Sequence, residues 1–456
     1  MLIRSRKTKL VEGTSYGLYF MGQNIFYYLL LTYLLVYFTD VGIPALAVTG
    51  IALAVKIWDA VNDPIFGGIV DKVKFKSGKF MPWLRISLLA IPVATIFLFA
   101  IPSGMPVYGK VIWAVVGYVL WDTAYTICDV PIFGLVTALT DVQTERASLI
   151  SVGRVCAMIA TLGVYVAVPL AREAIGGWLP TAIVLSVASL IFMAPICFTG
   201  KERVKPQTNE GEVGLKQMFG FIAHNKYLLI FFSAFIITGG FNIAQVLHMY
   251  VARYNLGDES LMATIALLSI IPSIIAGALI PMVLKKIDKF HLFFWGSAVS
   301  IIFNVAAYFV GYDNLTLLYI FSALRGFPSG MVGVLMFMFT PDCAEYGHYK
   351  SGIPASGLSF SIQTFSAKMT AAIGTAAAGF TLWLVGFIEG EGAVQLNGFN
   401  DKLWAVYLLV PAVGTLISLP ILWRYKLRDK YVQIMVKCNT GEITKAEADV
   451  LLEGKF

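Results

Sequence analysis

The sequence predicts an all-α polytopic membrane protein, with about twelve transmembrane helices in two six-helix halves. Three observations carry this. The 456 residues are 58% hydrophobic and only 13% charged, and the mean hydropathy is +0.77, outside the range of soluble domains. Apolar runs of about 20 residues, long enough to span a bilayer as a helix, recur from end to end. The longest polar interruption, GKERVKPQTNEGEVGLKQ from Gly200 to Gln217, falls near the middle and leaves six runs on each side.

In chain order the spans are expected at 15–39, 46–70, 82–103, 109–139, 148–171, 178–199, 227–252, 260–284, 291–312, 315–340, 355–387 and 403–424. This divides the chain into a first bundle (1–199), a connecting loop (200–226), a second bundle (227–430) and a polar tail (431–456). Within the tail, Ile443 to Leu452 has the pattern of a short amphipathic helix. KFKSGKF after the second span is echoed by KKIDKFH after the eighth, which supports a repeat of the halves.

Cations sort by side. Arg4, Arg6, Lys7, Lys9, then Lys72, Lys74, Lys76, Lys79, the connecting loop, Lys285, Lys286, Lys289 and Arg424 to Lys430 share one face. Lys110, Arg172, Arg253 and Lys402 are sparse on the other. The positive-inside bias places both termini in the cytoplasm of a multi-pass cell-membrane protein. The net charge of +7 is thus a topology signal and not a nucleic-acid footprint. The basic, polar N-terminus and its long first span do not read as a cleavable signal peptide.

Several function classes drop out. The five cysteines have no paired or metal-like spacing. His224, His248 and His291 show no ligand spacing, though His248 lies within a span, where it would serve proton transfer or an interhelical hydrogen bond. Walker, GxSxG and HExxH patterns are absent. An enzyme, an ATP-driven pump, a tightly bound cofactor and an obligate protein partner are therefore not expected. The expected partners are the bilayer, a small solute and a coupling cation.

The chemistry concentrates in KIWDAVNDPIFGGIVD, Lys56 to Asp71. Asp59 and Asp63 are one turn apart on one helix face, with Asn62 beside them and Lys56 a turn earlier. Carboxylates at membrane depth cost several kcal/mol unless protonated, paired or cation-bound. Snorkelling to water is the bland alternative. In the fourth span, WDTAYTICDVPIFG places Asp122, Thr126 and Asp129 at helical spacing. Thr126 and an acid of that span would join Asp59, Asn62 and Asp63 as all-oxygen ligands of a small hard cation. Asp129 is the deeper acid; Asp122 lies nearer the outer end, where solvation would also explain it. In the first span, Asn24 and Tyr27 share a face. Amides and rings together suit a sugar's hydroxyls and C–H face, and helix–helix hydrogen bonding explains an amide equally well. Arg154 of the fifth span offers a planar donor fork or an ion pair with Asp129. Arg325 lies near the middle of the tenth span, followed by PDCAEYGHYKSG read as a loop, and Lys368 lies well inside the eleventh. Asp342, Glu345, His348 and Lys350, at the cytoplasmic end, are assigned no substrate contact.

KIWDAVNDPIFGGIVD…GKFMPW, YTICDVPIFGLV and PDCAEYGHYKSGIPASGLSFSIQTFSAK, in this order, resemble the motifs of the glycoside–pentoside–hexuronide:cation symporter family, from about Tyr16 to Lys430. The resemblance implies a major facilitator fold and sugar uptake coupled to Na⁺, H⁺ or Li⁺. It implies a cation site at Asp59, Asn62, Asp63 and Thr126, with Asp59 and Asp63 as the metal-ligating acids if the ion is Na⁺. It implies a sugar site at Gln23, Asn24, Asp129, Phe133, Arg154 and Lys368. Melibiose-permease-like members have Lys and Asp where Gln23 and Asn24 stand, and Trp where Phe133 stands, so the sugar differs while the cation ligands are intact. The neutral oxygens of Asn62 and Thr126 mildly favour Na⁺ over H⁺. The alternatives on the same fold are a lysolipid-type carrier, against which the polar first span argues, and a non-transporting sugar sensor.

Overall fold

The computed structural model describes residues 8–73, 75, 77–140, 143–203, 225–336, 338–352 and 356–453. Most of the expected connecting loop therefore lies outside the described residues, as do Arg4, Arg6, Lys7, Lys74, Lys76, His224 and the side chains of Lys72 and Thr364.

The described chain is helical: α1 (Leu10–Asp40), α2 (Ala45–Lys72), α3 (Met81–Leu98), α4 (Val107–Leu139), α5 (Gln143–Ile175), α6 (Trp178–Thr199), α7 (Lys226–Gly240), α8 (Ala244–Tyr250), α9 (Leu261–Val283), α10 (Lys289–Val310), α11 (Leu315–Met336), α12 (Phe339–Ser351), α13 (Ser356–Leu384), α14 (Phe399–Trp423), α15 (Asp429–Asn439) and α16 (Lys445–Leu451). Among the described residues, ten helical stretches are long and apolar enough to cross a membrane. α2 and α13 have comparable lengths and run through partly described residues. The expected seventh span is interrupted. α7 ends at Gly240, α8 follows, and a π-turn over Val251–Asn255 closes it.

The chain forms two compact units. The first comprises residues 1–208, 257–263 and 378–399, and the second 209–256, 264–377 and 400–456. In the first unit, α1 packs along α5 and α6, α3 lies on α4 and α6, and α2 lies on α4. Small residues let the backbones meet: a Cβ on Gly22 of α1 would fall 2.6 Å from the Ser189 carbonyl of α6.

In the second unit, α9 and α11 approach as closely. Ser269 and Ser273 of α9 donate to the carbonyls of Ser322 (3.3 Å) and Gly326 (2.7 Å). A Cβ on Gly326 would sit 2.1 Å from the Ser269 carbonyl oxygen, whereas Gly333 of the same helix has open space. Overpacking against backbone costs about 1–3 kcal/mol. Gly326→Ala is therefore expected to lower the melting temperature clearly, and Gly333→Ala to leave it nearly unchanged in the same thermal scan.

One expectation is corrected here. PDCAEYGHYK is not a loop but most of α12. Asp342 lies in its first turn, His348 and Lys350 in its last, and Gly352 closes it at φ 70°. Charges so placed complement the helix dipole, and glycine takes the left-handed cap without strain. The polar tail carries the short helix expected at Ile443 to Leu452, as α16, and α15 precedes it. Val432 and Met435 of α15, Ala448 of α16 and the following Leu452 join an aromatic core containing Tyr227, Phe231, Phe290, Phe339 and Tyr425. Thr444 caps α16 reciprocally with Glu447. The Thr444 N–H and hydroxyl hold the Glu447 carboxyl below its ordinary pKa.

The short echo in the sequence marks a shared device. In the first unit, Glu202, just beyond α6, accepts from the backbone N–H groups of Lys79 (2.7 Å), Phe80 and Met81 (both 2.8 Å) at the start of α3. In the second, Asp429, just beyond α14, accepts from the Lys289 N–H at 3.3 Å at the start of α10. An acid after the last long helix of each unit thus caps the helix that opens with Lys-Phe. In the second unit Lys289 also pairs with Asp342 at 2.5 Å and Asp429 at 3.1 Å.

Candidate functional site between α1, α2 and α4

The acidic stretch of α2 faces α4 inside the first unit. The Lys56 ammonium lies 2.7 Å from an Asp59 carboxylate oxygen. The Asn62 amide donates to the Thr126 hydroxyl at 2.8 Å, and that hydroxyl lies 3.0 Å from the Asp63 carboxylate and 3.1 Å from the Asp122 main-chain carbonyl. Asp59, Asn62 and Thr126 are buried and Asp63 is half-buried. The snorkelling alternative fails for Asp59, because its charge is paired inside the bundle. Three oxygen-bearing side chains from two adjacent helices therefore meet, with Asp59 one turn away on α2. A third contact between those helices lies one turn away, where the Trp58 indole donates to Thr123 at 3.0 Å.

This set can hold a small cation in physical terms. Two carboxylates supply charge, and the amide and hydroxyl supply neutral oxygens of the kind hard cations take. The Asn62 N–H₂ faces Thr126, so its carbonyl oxygen is the atom a cation would use. Among the described residues no group of three or more His, Cys, Asp or Glu is placed to hold a metal ion. Lys56 already holds one of the two acids, so an incoming cation would displace an ammonium and not enter a bare site.

Asp129 separates from this set. Its carboxylate accepts from the Gln23 amide at 2.5 Å, and the same amide donates to the Tyr125 hydroxyl at 3.2 Å. Thr126 therefore turns to α2 while Asp129 is held toward α1. Asp122 is corrected too: it is buried, not solvated. Gln23 is buried and its carbonyl oxygen has no hydrogen-bond partner among the described residues. A buried acceptor left so costs about 1–3 kcal/mol, which a donor from a bound solute would recover. Asn24 donates to the Phe20 carbonyl of its own helix at 2.7 Å, not to a neighbouring helix.

Around Gln23 the walls are aromatic. Tyr125 stacks on Trp121 at 5.1 Å and lies 5.7 Å from Tyr27. Phe133 is 44% exposed and meets Phe20 edge-on at 5.3 Å. Arg154 is exposed on α5, and it and Asp129 both act electrostatically on the Tyr16 hydroxyl. Nine of the ten expected site residues thus belong to the first unit. Lys368 is half-buried on α13 in the second.

Sequence reasoning missed a second charged cluster in the first unit. The Arg172 guanidinium bonds Glu259 at 2.9 Å and Glu391 at 2.6 Å, lies 3.6 Å from Asp40, and covers the Trp178 ring at 4.1 Å. The Trp178 indole donates to Asp40 at 2.9 Å. Nearby, Glu389 accepts from the Ala45 N–H at the start of α2, and the N–H groups of Gly390 and Glu391 bond the Thr39 and Asp40 carbonyls. The available signal was an arginine at the end of one span and an acid at the end of another; the distant partners carry no local pattern.

The profile of the MFS/sugar transport protein family matches residues 15–429. The chain belongs to this family. It is a major facilitator membrane transporter, not an enzyme. It is 29% identical over 445 residues to the uncharacterized symporter YjmB of Bacillus subtilis, covering 93% of this chain and 94% of that one. It is 27% identical over 433 residues to the isoprimeverose transporter of Lactiplantibacillus pentosus, covering 91% and 88%. The crystal structure of the nucleoside transporter NupG superposes with a TM-score of 0.66 at 16% identity, over 92% of this chain and 100% of that one. That likeness shows the fold. The motif resemblance and the major facilitator expectation from sequence agree with these matches.

Proposed function

We propose that this carrier takes up a glycoside or related sugar by symport with Na⁺ or H⁺, by alternating access in the cell membrane with both termini in the cytoplasm. The observation that carries the reading is the α2–α4 constellation, in which Asn62, Asp63 and Thr126 meet within hydrogen-bond distance and buried Asp59 stands one turn before Asp63 on the same helix. Intramembrane carboxylates mark ion pathways by default. A cation bound there tightens α2 against α4. Because Gln23 reaches Asp129 and Tyr125 on the same α4, ordering α4 also orders the sugar-facing groups. Gln23, Asn24, Asp129, Phe133 and Arg154 supply donors, acceptors and a ring for the sugar. Coupling is reciprocal: cation raises sugar affinity by the factor by which sugar raises cation affinity.

The sugar transporters among the relatives support a glycoside as the solute, isoprimeverose being the first to test. Purified protein in liposomes is expected to accumulate a labelled glycoside above equilibrium when an inward Na⁺ or proton gradient is imposed, and only to equilibrate it without one. A panel of glycosides beginning with isoprimeverose, tested under both gradients, would sink the symport reading if every transported sugar merely equilibrated.

A further inference from the structure

Arg325 stands apart from the constellation above. It lies in the second unit, ten residues into α11, about 15 Å from the helix start at 1.5 Å per residue. The residue is half-buried, and its Nε is inaccessible and has no hydrogen-bond partner among the described residues. Its guanidinium faces the Tyr407 ring at 5.1 Å. Together with Val251, Phe321, Ser322, Trp404 and Tyr407 it lines a cavity with room for about one water-sized particle. All these residues belong to the second unit. Trp404 stacks on Tyr407 at 5.8 Å and His248 meets the same ring at 5.6 Å.

A guanidinium is always charged, and removing an ion from water costs several kcal/mol. A cation–π contact returns only about 0.5–2 kcal/mol. Four other cations in the described bundles meet acids: Arg172 has Glu259 and Glu391, Lys289 has Asp342 and Asp429, Lys56 has Asp59, and Arg203 has Glu12. Among the described residues no ion pair includes Arg325. A half-buried charge without an acid, on the wall of a small cavity, leaves the countercharge to a diffusible species. The cavity size restricts that species to something near a single atom or a water molecule.

We propose that the Arg325 cavity binds a small monovalent anion of chloride size, which stabilises the second unit. The anion sits against the guanidinium N–H groups, with Ser322 as the neighbouring hydroxyl and aromatic walls excluding water. An acidic substituent on a larger solute presents the same charge, and the test separates the two sources.

Full-length protein is melted in sodium chloride and in sodium gluconate at equal ionic strength and pH, so that Na⁺ is constant and only the anion changes. A ligand that binds only the folded state raises the melting temperature with its concentration. The expected result is a saturable rise with chloride in wild type and none in Arg325→Met. In gluconate, Arg325→Met should melt at or above wild type, because an uncompensated charge has been removed. Arg325→Lys keeps the charge without the fork and should retain a weaker chloride response. The proposal is overturned if wild type shows no chloride-dependent rise, if the rise survives in Arg325→Met, or if Arg325→Met melts well below wild type in gluconate. Sodium glucuronate added to the gluconate buffer is the second arm. A rise with glucuronate and none with chloride would assign the charge to a bound solute and overturn the free-anion site.

Discussion

Arg172→Gln should melt several degrees below wild type. The Arg172 side chain is 7% exposed and the Asp40 side chain 2%. Removing the arginine leaves Asp40 with the Trp178 indole but without its countercharge. Breaking a buried pair from one side costs about 3–5 kcal/mol. Glu391 is 62% exposed at its side chain and Glu259 31%, so those two contacts are screened and add little. Most of the loss comes from the desolvated Arg172–Asp40–Trp178 core. Arg172→Lys should recover only part of it, since an ammonium cannot bond Glu259 and Glu391 through a planar fork while covering the Trp178 ring. Melting curves of the two variants beside wild type check this. Equal loss in Lys and Gln would assign the stability to the fork, whereas no loss in either would show that the cluster contributes nothing.

Asp59→Asn should abolish uphill accumulation and leave solute exchange at equal concentrations largely intact. The carboxamide keeps the shape and an oxygen but removes one of two negative charges from a cation site at membrane depth. Losing an ionised ligand there costs several kcal/mol of cation affinity, and each 1.4 kcal/mol is about tenfold. Exchange needs only solute binding and reorientation; accumulation needs the cation as well. Parallel exchange and gradient-driven assays in liposomes separate the two. Accumulation by Asp59→Asn at the wild-type level would remove Asp59 from the coupling step.

Legibility in the sequence followed the range of the interaction. Helical spacing is local, so the Asp59, Asn62, Asp63 face and its partner Thr126 were readable before any packing was known. The two-residue echo of Lys79-Phe80 in Lys289-Phe290 was readable as well, but not its meaning, because the capping acids Glu202 and Asp429 lie more than a hundred residues away. The Asp342 segment was misread as a loop because charge density outweighed capping signals that fit a helix. For Asp129, i, i+3 spacing with Thr126 shows a shared face but not the neighbour that claims it. Gln23 on α1 claims it. The Arg172 cluster was illegible for the same reason, since its acids come from segments ending α1, preceding α9 and following α13.

The most direct test of the central claim needs no sugar. Wild type, Asp59→Asn and Asp63→Asn are melted in sodium, lithium and choline salts of one anion, at several pH values. A cation that binds only the folded protein raises its melting temperature. The α2–α4 site predicts a Na⁺- or Li⁺-specific rise in wild type that is absent from both variants. If protons serve instead, it predicts a wild-type pH dependence that both variants flatten. Responses identical in all three proteins would contradict the assignment of Asp59 and Asp63 as the cation site.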